Sequence, residues 1–589
     1  MMNSQFLQAM FLVISGWLIW FFVFVGLGIL IRWKFFNLKI ANFESLLSSF
    51  WIGWAYTIFF LQLWNLCFKI DWCASLLVCM VGVTGLIWNY KDLLQIIKKG
   101  NFLQKIILST ALSLIVLWIA DFAILSPMIY DGGLNHLPYM NWLKSYPTIP
   151  GLGNLFGPLA YNHSSYLYVA ILDFGPWIHK SQHLANGLIL SVLIIQIFLS
   201  GMTFFKHSNK ISLYHIFYIL LLGPVLTLTV TLYISSPSPD MSIYILGILV
   251  SAKLLAFLEE QNYIKRENEY NIFFILTIAA LGITIKLSFF AFGVTSLLVL
   301  FIFCLMKGIR KKEKNRIKKI LFIYVFCLGI ALIPWMIRGI ILSGYIAYPS
   351  TFGAFPVDWR IPYTNVIGMA NTVHRWALTL GGQLNKELEN WNWVIPWMSR
   401  MFKIENRYFT IHIAIPLFLI FINSILIFFS KYLKKYSVHN MKKNIWLFLV
   451  PSICSILFWF IAAPLPRFAG ACFWILGVGT VIIVINKFNV LKLKYFKTFI
   501  ISFSIILCIG FFFIKIFVDI PEENNGFYKI PSVELKIFET NSGLKVYVPE
   551  KGDQCWGAPL PCTPSPNADL RLRREGEMRY GFKILPANE

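Results

Sequence analysis

The chain has 589 residues, of which 58% are hydrophobic, 17% aromatic and only 13% charged. Because so few polar side chains cannot cover a compact particle in water, and because the mean hydropathy is +0.68, this composition excludes a soluble globular protein. The formal net charge of +24 comes from 51 Lys and Arg against 27 Asp and Glu. We therefore predict a polytopic membrane protein whose first partner is the lipid bilayer.

The basic residues lie in short segments between apolar stretches. Two of these segments are KGIRKKEKNRIKK (307–319) and KYLKKYSVHNMKK (431–443). This placement is typical of cytoplasmic loops, which collect Lys and Arg, and differs from the single basic face of a nucleic-acid-binding protein. No nucleic-acid partner is expected.

Each apolar stretch of about 17 to 25 residues predicts a membrane-spanning helix. There are about fourteen of them, at residues 6–31, 45–67, 72–90, 106–126, 184–205, 211–234, 241–258, 270–286, 288–306, 320–343, 410–430, 445–463, 468–486 and 498–518. Alternate connections are basic, which places the others, including the long loops 127–183 and 344–409, outside. Both termini are then extracytoplasmic, and the first stretch is a retained helix because it lacks a cleavage site.

The predicted fold is an all-α polytopic membrane protein with about fourteen transmembrane helices and a small extracytoplasmic C-terminal tail. Eight of the ten cysteines lie in or beside apolar stretches, where a thiol behaves as a small hydrophobic group. Cys555 and Cys562 lie in the tail, in CWGAPLPC, and an oxidising compartment predicts a disulfide between them. Two thiols alone do not supply the four ligands of a zinc site.

Acidic residues stand where two helices meet loops predicted to face outward. Asp131 and His136 lie in SPMIYDGGLNHLPYMNWL, and Asp240 lies in SSPSPDM. The spacing of HLPYMNWL predicts an interfacial helix with Tyr139 and Trp142 at headgroup depth. Each aspartate could be no more than a cap of the following turn or helix. As a catalytic set, they would supply a general base with a supporting histidine.

Three cations lie near the outer ends of otherwise apolar helices. They are Lys286 in ALGITIKLSFF, Arg338 in IPWMIRGIILSG and Arg467 in AAPLPRFAG. A charge at membrane depth is costly and marks a functional candidate, although a lysine so near a turn can also extend to water. Arginine matches the oxygens of a phosphate and lysine provides a point charge. We therefore predict that these side chains bind a lipid-linked phosphate.

These residues resemble the GT-C superfamily of integral-membrane glycosyltransferases, which use polyprenyl-phosphate-linked sugars. Three features carry the likeness: the acidic loop residue Asp131, the pattern P-W-x-x-R, S-G and Y-P within 334–349, and A-P-x-P-R-F within 463–468. The chain is also similar to a group of bacterial polytopic proteins of unknown reaction. That likeness lies in Y-D-x-G-L-x-H (130–136), P-G-L-x-N-L (150–155) and C-W-x-x-P-L-P-C-T-P (555–564).

The resemblance implies an inverting glycosyltransferase of the bacterial plasma membrane. It would transfer a sugar from a polyprenyl-phosphate donor to an envelope glycan, lipid or protein acceptor on the outer face. In that case Asp131 takes the acceptor proton or orients the acceptor hydroxyl, His136 supports it, and Asp240 is the second carboxylate of the catalytic set. Lys286, Arg338 and Arg467 bind the donor phosphate.

The resemblance also divides the chain into an N-terminal three-helix region (1–105), a GT-C-like core (106–518) and the tail (519–589). The chain departs from the family pattern in two features. The acidic loop usually follows the first helix, whereas here three helices precede the core. The acidic pair of the family is often adjacent, whereas Asp131 is followed by Gly132.

Several alternatives stay open. An envelope polysaccharide polymerase or ligase would use a pyrophosphate-linked donor, and a transporter or flippase of lipid-linked sugars would need polar groups near the bilayer midplane. No cofactor is required by the residues, although Asp131 and Asp240 could share a divalent cation with a phosphate. The second long loop is rich in aromatic residues that form either a sugar-stacking surface or membrane anchors: Trp376, Trp391, Trp393 and Trp397.

Overall fold

A computed structural model describes most of the chain. The described residues are 4–98, 102–127, 129–206, 212–231, 233–260, 266–310, 314–379, 391–403, 410–429, 444–488, 495–517 and 526–584. Much of the predicted basic loops, and part of the second long loop, lie outside these ranges.

The described residues are mostly helical. The α-helices are α1 Ser4–Phe36, α2 Phe43–Cys67, α3 Trp72–Trp88, α4 Tyr90–Lys98, α5 Phe102–Ala123, α6 Leu137–Ser145, α7 Leu152–Leu155, α8 Ser165–Ile171, α9 Gln182–Lys206, α10 Leu213–Leu220, α11 Leu222–Leu228, α12 Pro239–Glu259, α13 Arg266–Ile285, α14 Phe290–Arg310, α15 Lys314–Ser343, α16 Tyr363–Thr379, α17 Val394–Met401, α18 Ile415–Phe429, α19 Val450–Ala462, α20 Cys472–Phe488 and α21 Phe496–Phe517.

Within the described ranges, nine helices are long and apolar enough to cross a membrane, or ten if α3 and α4, bent by 69°, form one span. The remaining predicted spans coincide with shorter apolar segments: Leu108–Ala123, Leu213–Leu228, Cys472–Phe488 and Thr498–Gly510. The prediction of a helical, multi-pass membrane protein is therefore confirmed. The number fourteen stays a prediction, because these shorter segments fall below the length of an ordinary span.

Glycines bring the backbones of α1, α2 and α3 into direct contact. A Cβ atom on Gly28 would lie 1.8 Å from the carbonyl oxygen of Ser49, and one on Gly53 would lie 1.8 Å from that of Phe24. Close approach at small residues is a common way for helices to associate where lipid removes the hydrophobic driving force. The first three helices therefore form one tightly packed unit.

Tryptophan side chains connect this unit to the rest of the bundle. The indole N–H of Trp17 donates to the carbonyl of Leu184 (2.8 Å), and that of Trp51 donates to Oε1 of Gln196 (2.9 Å). Both acceptors belong to α9. Since buried indole N–H groups need acceptors, these bonds fix how α1 and α2 lie against α9.

The connections 124–181, 344–362 and the tail 526–584 meet at one end of the bundle, which we call the loop face. The side-chain amide of Asn154 donates to the carbonyl of Trp359 (2.8 Å), and the backbone N–H of Phe582 donates to the carbonyl of Pro150 (3.0 Å). Hydrogen bonds between such distant segments join the loops and the tail into a single surface layer.

The tail departs from the all-α prediction. It contains two antiparallel pairs, β1 Leu535–Glu539 with β2 Lys545–Pro549, and β3 Leu570–Leu572 with β4 Phe582–Ile584. Asp358 anchors it to the loop before α16 through an ion pair with Arg573 (2.9 Å). Two-stranded pairs are marginal alone, so docking on the loops supports them.

The helix predicted in HLPYMNWL forms as α6, but its environment differs from the expected membrane interface. Tyr139 and Trp142 are 3% and 2% exposed within the protein itself. The ring of Trp142 meets that of Phe582 edge-on, with centroids 5.9 Å apart. The tail and neighbouring loops therefore cover a helix whose aromatic residues were predicted to rest on lipid.

Candidate functional site

Asp131 and Arg467 form an ion pair at the loop face. Arg467 Nη1 lies 2.7 Å from Asp131 Oδ2, and both side chains are about three-quarters buried. Asp131 immediately precedes a π-helical turn, Gly132–His136, that leads into α6. Arg467 lies in the 3₁₀ turn Pro466–Ala469 between α19 and α20. Segments more than three hundred residues apart thus meet through opposite charges.

A second ion pair joins Asp240 and Lys286. Their side chains are in direct contact and largely buried. Asp240 lies in the first turn of α12, where Ser238 caps the helix and the helix dipole favours a negative charge. Lys286 occupies the extended break between α13 and the next helical turn. At this break the Lys286 side chain meets Asp240 at the start of α12.

Phe468 lies between the two pairs. The Lys286 ammonium is 4.3 Å from the centre of its ring, and the Arg467 guanidinium carbon is 5.3 Å away. Such cation–π contacts stabilise charges that are removed from water. Burial opposes the charge of Arg467, but the carboxylates of Asp240 and Asp131 outweigh burial and raise its pKa above the usual value. The two carboxylates and two cations therefore form one electrostatically coupled group, the charge cluster.

His136 lies beside the charge cluster and is uncharged at neutral pH. Burial lowers its pKa to about 4, against the opposing influence of Asp131 and Asp240. Its Nδ1 atom is buried and has no hydrogen-bond partner among the described residues. The ring packs against that of Tyr166, with centroids 5.4 Å apart. His136 can thus supply a neutral hydrogen-bonding group, and not a positive charge.

Arg338 does not contact the charge cluster directly. It is 1% exposed, and its Nη2 donates to the hydroxyl of Tyr139 (2.9 Å). The rings of Tyr139 and Tyr166 are 5.5 Å apart, so these two side chains connect Arg338 to His136. Its Nε and Nη1 have no partner among the described residues. Of the three predicted phosphate-binding cations, Lys286 and Arg467 therefore lie together, and Arg338 lies behind aromatic rings.

Backbone contacts hold the Asp131 segment against the tail. Trp556 N–H donates to the carbonyl of Gly133 (2.9 Å), and the Gln554 side chain donates to the carbonyl of Tyr130 (2.7 Å). A Cβ on Gly133 would lie only 2.3 Å from the Trp556 indole, so glycine is required for this contact. The tail thus contacts the chain on both sides of Asp131.

The loop that carries Trp556 is closed by the linked pair Cys555 and Cys562. Trp556 itself has a left-handed backbone conformation, with φ 45°. For a residue other than glycine this costs about 1 to 2 kcal/mol. The contact with Gly133 and the closed loop keep Trp556 in this conformation.

A family model described as a domain of unknown function, DUF8201, matches residues 10–474. The chain belongs to the DUF8201 family. The match includes every residue of the charge cluster together with His136 and Arg338, and it ends before the tail. No curated protein and no solved structure matches the chain. The family therefore brings no named activity to the site.

The tryptophans of the second long loop divide into two groups in this DUF8201 protein. Trp391, Trp393 and Trp397 pack with Trp459 and Phe460 on α19. Trp376 lies apart, on α16, and stacks on Tyr130. The indole of Trp397 donates to the carbonyl of Pro464 (3.1 Å), so the first group also supports the loop that carries Arg467.

Several uncharged side chains at the site were not predicted. Tyr166 packs against His136, and His163 packs against the ring of Tyr166, with 5.6 Å between the centroids of the last two rings. Tyr233 lies beside Arg467, and burial raises its pKa to about 12. These residues lie in the segments YNHSSYLY and TLYISSPSPD. A charge in an apolar helix is energetically costly and therefore conspicuous in a sequence, whereas a neutral aromatic residue in a loop is not.

Asp131 and Asp240 are the two carboxylates that could share a divalent cation at this site. In the part of the chain that the structure describes, no group of three or more His, Cys, Asp or Glu side chains is arranged to hold a metal ion. Each aspartate instead contacts a basic side chain. The described residues therefore do not form the oxygen-rich ligand set that Mg²⁺ or Ca²⁺ requires.

Proposed function

We propose that the protein is a glycosyltransferase that moves a sugar from a polyprenyl-phosphate donor to an acceptor hydroxyl on the outer side of a bacterial plasma membrane. The observation that carries this proposal is the charge cluster. It combines a carboxylate able to take a proton with two cations able to hold a phosphate, at the loop end of an apolar bundle. A lipid-linked donor would place its phosphate at this depth.

The ion pair of Asp131 with Arg467 suggests the order of events. The guanidinium holds the carboxylate at 2.7 Å. A donor phosphate that takes over this guanidinium leaves Asp131 free to accept a proton. Donor binding would thus prepare the general base.

In the transfer step, the acceptor hydroxyl gives its proton to Asp131 while its oxygen bonds to the anomeric carbon of the sugar. The bond between that carbon and the phosphate oxygen breaks, its electron pair stays on the phosphate, and the configuration inverts. The additional negative charge on the polyprenyl phosphate is stabilised by Arg467 and Lys286. Asp240 keeps Lys286 in place.

The test is transfer by the full-length protein in proteoliposomes, with tritiated sugar on polyprenyl phosphate and an extract of envelope acceptors. Asp131→Asn should lower the rate by about 10²- to 10⁴-fold, the usual contribution of a general base. Asp569→Asn, at an exposed aspartate of the tail, is the matched control and should transfer like wild type. Normal transfer by Asp131→Asn would refute the assignment.

The donor site is tested with Arg467→Ala. Because Arg467 both binds the donor phosphate and stabilises the charge that develops on it, this variant should lower kcat/KM for the lipid donor, and an unchanged kcat/KM would remove Arg467 from the phosphate site. Transfer from a pyrophosphate-linked donor only would indicate a polymerase or ligase instead. Labelled lipid that crosses the bilayer without any transfer would indicate a transporter.

A further inference from the structure

Tyr130 and Trp376 form an exposed aromatic pair directly beside Asp131. Their ring centroids are 6.1 Å apart and their planes are inclined by 26°. Each residue is 47% exposed. Because nearly half of each residue remains exposed beside its partner, part of this aromatic surface is accessible to a ligand.

The tail holds this pair in place with polar side chains. The Tyr130 hydroxyl donates to the carboxylate of Asp553, and Gln554 donates to the Tyr130 carbonyl (2.7 Å). Asp553 and Gln554 are themselves partly exposed. A carboxylate and an amide at the rim do not suit an aliphatic lipid chain, since burying them in hydrocarbon is unfavourable.

We propose that Tyr130, Trp376 and Asp553 form a sugar-binding subsite next to Asp131. A pyranose ring has an apolar C–H face, which suits an aromatic surface, and hydroxyl groups at its edge, which suit a carboxylate acceptor. Tyr130 immediately precedes Asp131 in the chain, so a sugar bound to the aromatic pair would lie next to the Asp131 carboxylate. This inference rests on the proposed function, because it makes the subsite the place where the acceptor or transferred sugar is oriented.

Two measurements on full-length protein in lipid nanodiscs test it. The first is saturation-transfer NMR with the methyl glycosides of glucose, galactose, mannose and N-acetylglucosamine. Wild type and Asp131→Asn should both give a signal with at least one glycoside. Trp376→Ala and Tyr130→Ala should lower it at least fivefold, and Trp376→Phe should retain much of it.

Trp72 provides the control. It lies at the start of α3 and is 61% exposed, so Trp72→Ala removes an exposed tryptophan that belongs to neither site and should leave the signal unchanged. A monodisperse elution profile shows that each variant is folded. No signal with wild type, or an equal signal from Trp376→Ala, would overturn the subsite.

The second measurement is transfer kinetics, which separates this inference from the proposed function. Trp376→Ala should raise the KM of the acceptor or donor sugar about tenfold while kcat changes much less. If Asp131→Asn transfers normally but glycoside binding still depends on Trp376, the proposed reaction fails and the subsite stands. If Asp131→Asn abolishes transfer while Trp376→Ala changes neither KM nor binding, the subsite alone fails.

Discussion

Gly133 is the point where the Asp131 segment touches the tail, and alanine at this position tests how tight the contact is. A Cβ would lie 2.3, 2.5 and 2.7 Å from three atoms of the Trp556 indole. Carbon atoms in contact are normally about 3.5 Å apart, so the indole or the loop must move by about 1.2 Å. Trp556 is only 8% exposed and has little room to move. Overpacking of this kind costs about 1 to 3 kcal/mol.

Hydrogen exchange measured by mass spectrometry detects a local loss of stability at the contact between Gly133 and Trp556. If the tail detaches locally, a loss of about 1 to 3 kcal/mol accelerates amide exchange of residues 553–557 roughly 5- to 150-fold. Under the proposed function, a displacement of about 1 Å beside Asp131 should also lower transfer about 100-fold. The global unfolding temperature of the helices should change little.

Gly557→Ala is the matched control, because a Cβ there meets only Ile530 at an ordinary 3.8 Å. A double-mutant cycle identifies the cause, since Gly133→Ala should cost much less once Trp556→Ala has removed the indole. Unchanged exchange in Gly133→Ala would refute the reasoning. So would an equal effect from Gly557→Ala, or a full cost of Gly133→Ala without the indole.

Three further predictions concern a contact between helices, the disulfide of the tail and the protonation of His136. Gly53→Ala should destabilise the bundle by about 3 kcal/mol, since its Cβ would meet the Phe24 carbonyl; thermal unfolding in detergent checks this against Gly510→Ala, which meets nothing. Cys555→Ser should cost the tail about 2.5 kcal/mol by opening its loop, and urea titration of wild type with reductant should show the same loss. Burial lowers the pKa of His136 to about 4, so the folded protein binds this proton less readily than the unfolded chain does. The resulting contribution of about 3 kcal/mol to the free energy of unfolding should be fully present above pH 6.5 and be lost as the pH falls towards 4. His136→Gln should make the free energy of unfolding less dependent on pH over this range.

The charged residues of the site could be chosen from the sequence because a charge in an apolar segment is costly wherever it lies. This reasoning selected Lys286 and Arg467, whereas Asp131 and Asp240 were selected because they lie where helices meet loops; the fold brings all four together. It could not show which charges meet, because the pairs connect segments far apart in the chain. It also selected Arg338, which contacts Tyr139 instead.

Other features depended on tertiary structure that no local pattern describes. The period of HLPYMNWL predicts helix α6 correctly, but the same apolar face suits lipid and protein equally well, so the covering tail was not foreseen. The strands of the tail are three to five residues long, too short for alternation to be distinctive. The long apolar helices were the most predictable elements, since hydropathy alone determines them.

The contacts between the tail and Tyr130 have a consequence for biogenesis. Residues 553–556 are synthesised after α21, the last apolar helix of the described residues, yet they contact both flanks of Asp131. These contacts can therefore form only after the helices of the bundle have been made. A nascent chain whose helices are already in the membrane would therefore lack the contacts that flank Asp131 until its tail, closed by the Cys555–Cys562 bond, had docked. The last part of the chain to be made thus completes the surroundings of a residue in its first quarter.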